Sequence, residues 1–205
     1  MRSRFQVPRS TRRIKAPKKG LMIVLSSPSG GGKTTVAGRL LTRDKNLIRS
    51  VSCTTRKPRP GEKHGRDYFF ITPTRFKTLV SQRAFLEWAK VHRNFYGTPR
   101  KWVAQQLRKG RDVLFVIDVQ GGRAIQRKNP EALLVFLKPP SFAVLRERLL
   151  KRGTNSTQDL KVRLKDAQWE IREGRKYDHQ VVNDRLSRAV LEVAKIIQKE
   201  RKSRD

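Results

Sequence analysis

The run Ser26-Ser27-Pro28-Ser29-Gly30-Gly31-Gly32-Lys33-Thr34-Thr35 combines small residues, one cation and paired hydroxyls, the set that binding a nucleotide's phosphates requires. Glycines let backbone N–H groups turn toward an anion, and a helix starting just after them adds its positive N-terminal end. In such a loop Lys33 reaches the β- and γ-phosphates and the Thr34 hydroxyl ligates Mg²⁺. Ser27 stands where the G-x-x-x-x-G-K-[ST] pattern has its first glycine; serine is small and three glycines follow, so the loop reads as intact. Two further features suit the same chemistry. Asp118 closes the apolar run Val113-Leu114-Phe115-Val116-Ile117, the placement of an acid that orients Mg²⁺ or its waters. Arg56 and Arg59 put two guanidinium forks in one proline-stiffened loop, suited to a dianionic phosphate.

These groups need a scaffold, and the chain alternates short β-rich runs with helical ones. Residues 21–25 form the strand before the glycine loop and 36–42 lie in the helix after it. Residues 112–118 and 132–137 read as further buried strands, the second stopped by Pro139-Pro140, and 142–151, 157–172 and 186–198 read as helices. Near-continuous apolar strands separated by helices predict an α/β fold with a parallel sheet covered on both faces. Residues 49–98 differ: rich in Thr, Arg, Pro, Gly and aromatics, with strand-like pieces near 50–53, 68–71 and 85–91, they read as an inserted α+β unit. The polar stretch 151–157 reads as a hinge or lid.

At 205 residues the chain is long enough for one domain with a real core. Its apolar β-like runs are too short to span a bilayer. A single cysteine, Cys53, excludes an intrachain disulfide and fits a reducing compartment. His64, His92 and His179 are far apart and without cysteine neighbours, so there is no zinc pattern. The formal charge is +32, from 49 Lys and Arg against 17 Asp and Glu. Residues 1–20 are acid-free, carry Arg2, Arg4, Arg9, Arg12, Arg13, Lys15, Lys18 and Lys19, and read as a disordered basic arm. A transit peptide is the alternative, although Pro8 and Pro17 interrupt the amphipathic helix it needs. The excess extends into the folded body, and it favours anionic partners, from phosphorylated substrates to weak polyanion binding by the arm.

The segment Ser50-Val51-Ser52-Cys53-Thr54-Thr55-Arg56-Lys57-Pro58-Arg59-Pro60-Gly61-Glu62 is followed by Gly65-Arg66-Asp67-Tyr68-Phe69-Phe70, Phe85-Leu86-Glu87-Trp88-Ala89, Tyr96-Gly97-Thr98 and Ile117-Asp118-Val119-Gln120-Gly121. With the phosphate loop, these ordered motifs closely resemble the guanylate kinases from residue 21 to about 199. The resemblance implies a P-loop three-layer fold: a core of 21–48, 99–148 and 173–205, a GMP-binding unit of 49–98, and a lid with its helix at 149–172. It implies ATP held by Ser27, Pro28, Ser29, Gly30, Gly31, Gly32, Lys33, Thr34, Thr35, Arg152 and Asn183, and GMP or dGMP held by Ser52, Arg56, Arg59, Tyr68, Glu87, Tyr96, Thr98 and Asp118. Thr34 and Asp118 would serve Mg²⁺, partly through water. Lys33, Arg56, Arg152 and Arg163 would carry catalysis, with Arg148 as an auxiliary.

Within that resemblance Glu87 reads the base. Guanine presents two adjacent donors that a carboxylate accepts, whereas adenine sets a lone pair against it. One departure stands out: the family has an acid two residues before Asp118, where this chain has Val116. Asn155 and Gln158 likewise replace acids usual in the lid. Trp88, Trp102 and Trp169 read as packing residues, and Cys53 has no catalytic role. A binding module of the same fold without catalysis is the first rival, opposed by the intact Lys33-Thr34, Arg56, Arg59 and Glu87. A nucleic-acid-binding protein is the second, opposed by the lack of a recognisable module. A cytoplasmic location is expected, an organellar one if the arm is a transit peptide; monomer and homodimer both stay open.

Overall fold

The computed structural model describes residues 19–91, 93–151 and 157–204, with the side chains of all but 157–159. The expected arm through residue 18, and residues 152–156 of the expected lid, Arg152 and Asn155 among them, lie outside the described residues. In chain order the elements are β1 (Met22–Ser26), α1 (Lys33–Arg43), β2 (Leu47–Arg49), β3 (Cys53–Thr54), β4 (Phe69–Phe70), α2 (Pro73–Ser81), β5 (Phe85–Val91) and β6 (Asn94–Pro99). They continue as α3 (Arg100–Arg108), β7 (Asp112–Val116), α4 (Val119–Lys128), β8 (Leu133–Lys138), α5 (Phe142–Lys151), α6 (Thr157–Gly174), β9 (His179–Val182) and α7 (Leu186–Ser203).

Five parallel strands make the central sheet in the order β2-β7-β1-β8-β9. The apolar runs that announced β1, β7 and β8 are buried because helices cover both faces of the sheet. On one face Ile23, Leu25 and Leu114 pack with Val36 and Leu40 of α1 and Val193 and Ile197 of α7. On the other, Val24, Phe115 and Phe136 pack with Val103 and Leu107 of α3 and Ile125 of α4. β1 lies between β7 and β8, so the chain leaves the central strand at the point where neighbouring connections diverge. In open α/β sheets that crevice, outside the strand C-termini, is where ligands bind.

A second sheet, β4-β3-β6-β5, stands over that edge, with β3–β6 and β5–β6 antiparallel. Its own small core stacks Phe76 of α2 on Phe85 and Phe95. β6 falls where the sequence shows no strand, because its residues Asn94-Phe95-Tyr96-Gly97-Thr98-Pro99 lack alternation and end in proline; pairing with β5 makes it one. β2 extends to Arg49 and belongs to the central sheet.

The helix α4 also escapes local propensity, since Gly121 and Gly122 fall within it and glycine disfavours helix interiors by roughly 1 kcal/mol each. Packing explains them. A β-carbon at Gly122 would stand 2.0 Å from the Tyr177 hydroxyl oxygen, and one at Gly121 would press on Glu87 at 3.2 Å. Buried Asp112 is satisfied by accepting from the Leu21 amide at 2.7 Å and from Arg201 at 2.6 Å. Arg201 also reaches Asp44, pinning the end of α7 to the sheet edge.

Candidate active site

Two adjoining cavities open at the C-terminal edge of the central sheet. One, about 400 Å³, lies beneath the second sheet; the other, about 490 Å³, lies over the glycine loop. Lys33, Thr34, Arg59, Tyr96 and Asp118 line both.

The glycine loop joins β1 to α1 as its motif requires. Gly32 caps α1 at φ 90°, a left-handed conformation that β-carbon-bearing residues adopt only at a cost. Ser27 through Thr35 all line the larger cavity. Lys33 donates from Nζ to the Ile117 carbonyl at 2.8 Å, which holds the ammonium between the two cavities. Burial pushes its pKa down, while the charges of Asp118 and Glu170 work against that shift.

Asp118 lies two residues beyond the end of β7 and caps α4, its Oδ1 accepting from the Gly121 amide at 2.8 Å. The site's hard donors are the Thr34 hydroxyl and this carboxylate. Among the described residues no cluster of three or more His, Cys, Asp or Glu could hold a metal ion. That donor set fits Mg²⁺, which keeps water and takes phosphate oxygens in place of a full protein cage. Val116 lines the smaller cavity where the family pattern has an acid.

In the smaller cavity, β3, β5 and β6 bring together residues far apart in sequence. Thr98 donates to Glu87 Oε1 at 2.6 Å, and its hydroxyl lies 3.0 Å from that of Ser52. Glu87 is only 3% exposed. Burial drives its pKa up to about 7, the Thr98 bond opposes the rise and the charge of Asp118 reinforces it. A buried carboxylate with one oxygen bonded to a hydroxyl is thus set to accept from a ligand's paired N–H donors. Tyr68 and Tyr96 meet edge to face at 6.0 Å on the cavity wall.

Arg56 and Arg59 lie beside the tyrosines, held by a residue that the motif reading passed over. Glu62 takes two bonds from Arg56 Nη2, at 2.8 and 2.9 Å, and accepts from the Arg59 amide at 2.7 Å. The loop is therefore built with its guanidinium already aimed.

Asn183, which the resemblance sets beside adenine, packs against the phosphate loop. It is 6% exposed, does not line the cavity, and donates from Nδ2 to the Gly31 carbonyl at 2.8 Å. Arg148 in turn donates to the Asn183 carbonyl at 3.1 Å, so both brace the loop from behind. Arg163 does line the larger cavity, from α6. The same helix contributes three residues that the sequence did not mark. Trp169, read as a packing residue, is 38% exposed on the cavity wall. Asp166 lies there too, and Glu170 Oε2 accepts from the Ser29 amide at 3.3 Å. Burial raises the Glu170 pKa to about 7 against the pull of Lys33. Only its position on a helix facing the loop reveals Glu170; nothing in the local sequence does. Cys53 is buried in the small core of the inserted unit with Phe76 and Phe85, its thiol pushed up to about 11 by burial.

Comparison with known proteins agrees with this geometry. The guanylate kinase family model matches residues 19–200. The chain is 45% identical over 188 residues to the guanylate kinase of Rickettsia prowazekii, covering 92% of this chain and 95% of that one. It is 45% identical over 183 residues to that of Thermotoga maritima, covering 89% and 88%. The crystal structure of guanylate kinase from Anaplasma phagocytophilum superposes with a TM-score of 0.75 at 37% identity, covering 89% and 87% of the two chains. A phosphate loop and a guanidinium-rich pocket sharing one lysine and one acid, on a chain that matches over nearly its whole length, establish that this protein belongs to the guanylate kinase family.

Proposed function

We propose that this chain transfers the γ-phosphoryl group of ATP to GMP, giving ADP and GDP. The observation that carries the reading is the pair of cavities sharing Lys33, Thr34 and Asp118: a donor and an acceptor nucleotide bound there would meet at those three residues. The P-loop core holds ATP through the loop 27–35, whose backbone N–H groups, Pro28 excepted, face the phosphates, and the unit formed by 49–98 holds GMP or dGMP. Glu87, with Thr98 and Ser52 behind it, takes the guanine edge; Arg56, Arg59, Tyr68 and Tyr96 take the acceptor phosphate.

No protein nucleophile is needed. An oxygen of the GMP phosphate attacks the γ-phosphorus, and the enzyme contributes alignment and countercharge. Lys33, tethered to the Ile117 carbonyl, lies where charge develops. Arg163 approaches from α6, and Arg152, outside the described residues, would join it as the lid closes. Thr34 and Asp118 would hold Mg²⁺, which when bound neutralises the β- and γ-phosphate oxygens. Closure of the second sheet over the first would exclude water and limit ATP hydrolysis.

The role belongs to purine nucleotide metabolism in the cytoplasm. Among the described residues no helix is long and apolar enough to cross a membrane. ADP formation from ATP and Mg²⁺, measured with GMP, dGMP, AMP, CMP and UMP in turn, tests the proposal. Turnover confined to the guanine nucleotides is expected; equal turnover with AMP, or none with any acceptor, would overturn it.

A further inference from the structure

One guanidinium in the acceptor cavity has no role in the site described above. Arg49 ends β2, the edge strand of the central sheet, and its side chain lines the smaller cavity. Its Nε is buried and has no hydrogen-bond partner; Asp67, on the same cavity wall, feels its charge but gives its carboxylate to the Lys63 amide and Arg66. A buried donor left unpaired costs about 1–3 kcal/mol, more when charged, so such a group is retained where something else satisfies it. A guanidinium has only donors, so what satisfies it is an acceptor atom, which a phosphate in this cavity would supply.

The neighbours of Arg49 say which end of the ligand. Its Cζ lies 5.7 Å from the centre of the Tyr68 ring, and the Cζ of Arg56 lies 5.5 Å from the same ring. The two guanidinium groups thus share one phenol as a platform, yet differ in state: Arg56 is tied twice to Glu62, whereas Arg49 keeps its fork open. Its charge acts on the phosphate side of the cavity. Burial raises the Tyr68 pKa and the Arg49 charge is the next influence, opposing it; at Lys33 the same charge adds, after burial and two acids, to the downward shift. With Val116 lining the same cavity, no carboxylate at that position competes for the fork.

We propose that Arg49 is an acceptor-phosphate ligand, a third guanidinium that binds the phosphate of the incoming nucleoside monophosphate together with Arg56 and Arg59. The inference rests on the guanylate kinase reading above and adds a residue to it. The arginine bonds phosphate oxygens through Nε and one Nη, the fork geometry that lysine cannot reproduce.

The test compares wild type, Arg49→Gln and Arg49→Lys. For each, the affinities for GMP and for guanosine are measured, guanosine by its inhibition of GMP phosphorylation, together with kcat and KM for GMP. A charge-assisted contact to phosphate predicts a loss of about 10- to 100-fold in GMP affinity for Arg49→Gln. Guanosine affinity, which also reports an intact fold, should stay within about twofold of wild type, and Arg49→Lys should recover only part of the loss. Equal losses for GMP and guanosine would assign Arg49 to the base or to packing, and an unchanged GMP affinity would give it no ligand; either result overturns the inference while the kinase reading stands. A wild-type protein that turns over no GMP would remove both.

Discussion

Replacing Glu87 with glutamine is the sharpest perturbation of the acceptor site. The side chain keeps its shape, and the Thr98 hydroxyl, 2.6 Å from Oε1, still has an oxygen to bond. What changes is the second position, where an NH₂ now meets a guanine N–H. One charge-assisted bond is lost and one buried donor is left facing another. Together these cost roughly 3–4 kcal/mol, a fall of several-hundred-fold in kcat/KM for GMP. The amide's donor and acceptor match the adenine edge, so discrimination against AMP should narrow at the same time. Acidity gives a second readout. Glu87 carries a pKa of about 7 in the empty site, and guanine needs its charged form. Guanosine affinity should therefore weaken roughly fivefold between about pH 7 and about pH 6, and in Glu87→Gln it should not change. Guanosine is the right probe, because the phosphate of GMP itself titrates near pH 6. The assay is coupled ADP formation with GMP and AMP, plus inhibition by guanosine across this range. A variant within about threefold of wild type on GMP, or the same pH slope in both proteins, would refute the placement of guanine on Glu87.

Three other outcomes follow from the geometry. Lys33→Ala removes the ammonium held on the Ile117 carbonyl, and turnover should fall by at least about 100-fold with the circular dichroism spectrum unchanged; normal rates would refute its role beside the transferred group. Glu170 has its pKa raised by burial to about 7, so the stability it confers is fully present below its ordinary value and is lost as pH rises through 7. Urea unfolding should accordingly show Glu170→Gln gaining stability over wild type between about pH 5 and about pH 8; a pH-independent difference would show that the carboxyl is not desolvated in the folded protein. Gly122→Ala should lower the melting temperature despite alanine's better helix propensity, because its β-carbon would displace the Tyr177 hydroxyl from Ser26, its partner at 2.9 Å. A higher melting temperature would mean that α4 does not pack this closely on Tyr177.

Several elements could be read from the chain because their causes are local. The glycine loop needs left-handed backbone at Gly32, and only its residue type and spacing are required to predict it. β1, β7 and β8 are continuous apolar runs, and α5 has helical spacing whose limits, Phe142–Lys151, coincide with the expected 142–151. α3 and α4 were not legible. In α3 only Val103 and Leu107 are buried, and in α4 two glycines contradict the helix that close packing enforces.

The sequence by itself determined the chemistry available: a phosphate loop ending in Lys33-Thr34, an acid closing a buried strand, and arginine forks on stiff prolines. Residue type and short spacing suffice for these, because each is a property of one segment. Only the tertiary structure decided how the segments meet. It joined Ser52, Glu87 and Thr98 through β3, β5 and β6, turned Asn183 behind the loop, and brought Glu170 onto the Ser29 amide from a helix far along the chain. It also buried the Nε of partly exposed Arg49 without a hydrogen-bond partner. Burial and proximity set the charge state and hydrogen bonding of such groups, and both depend on which distant surfaces pack together.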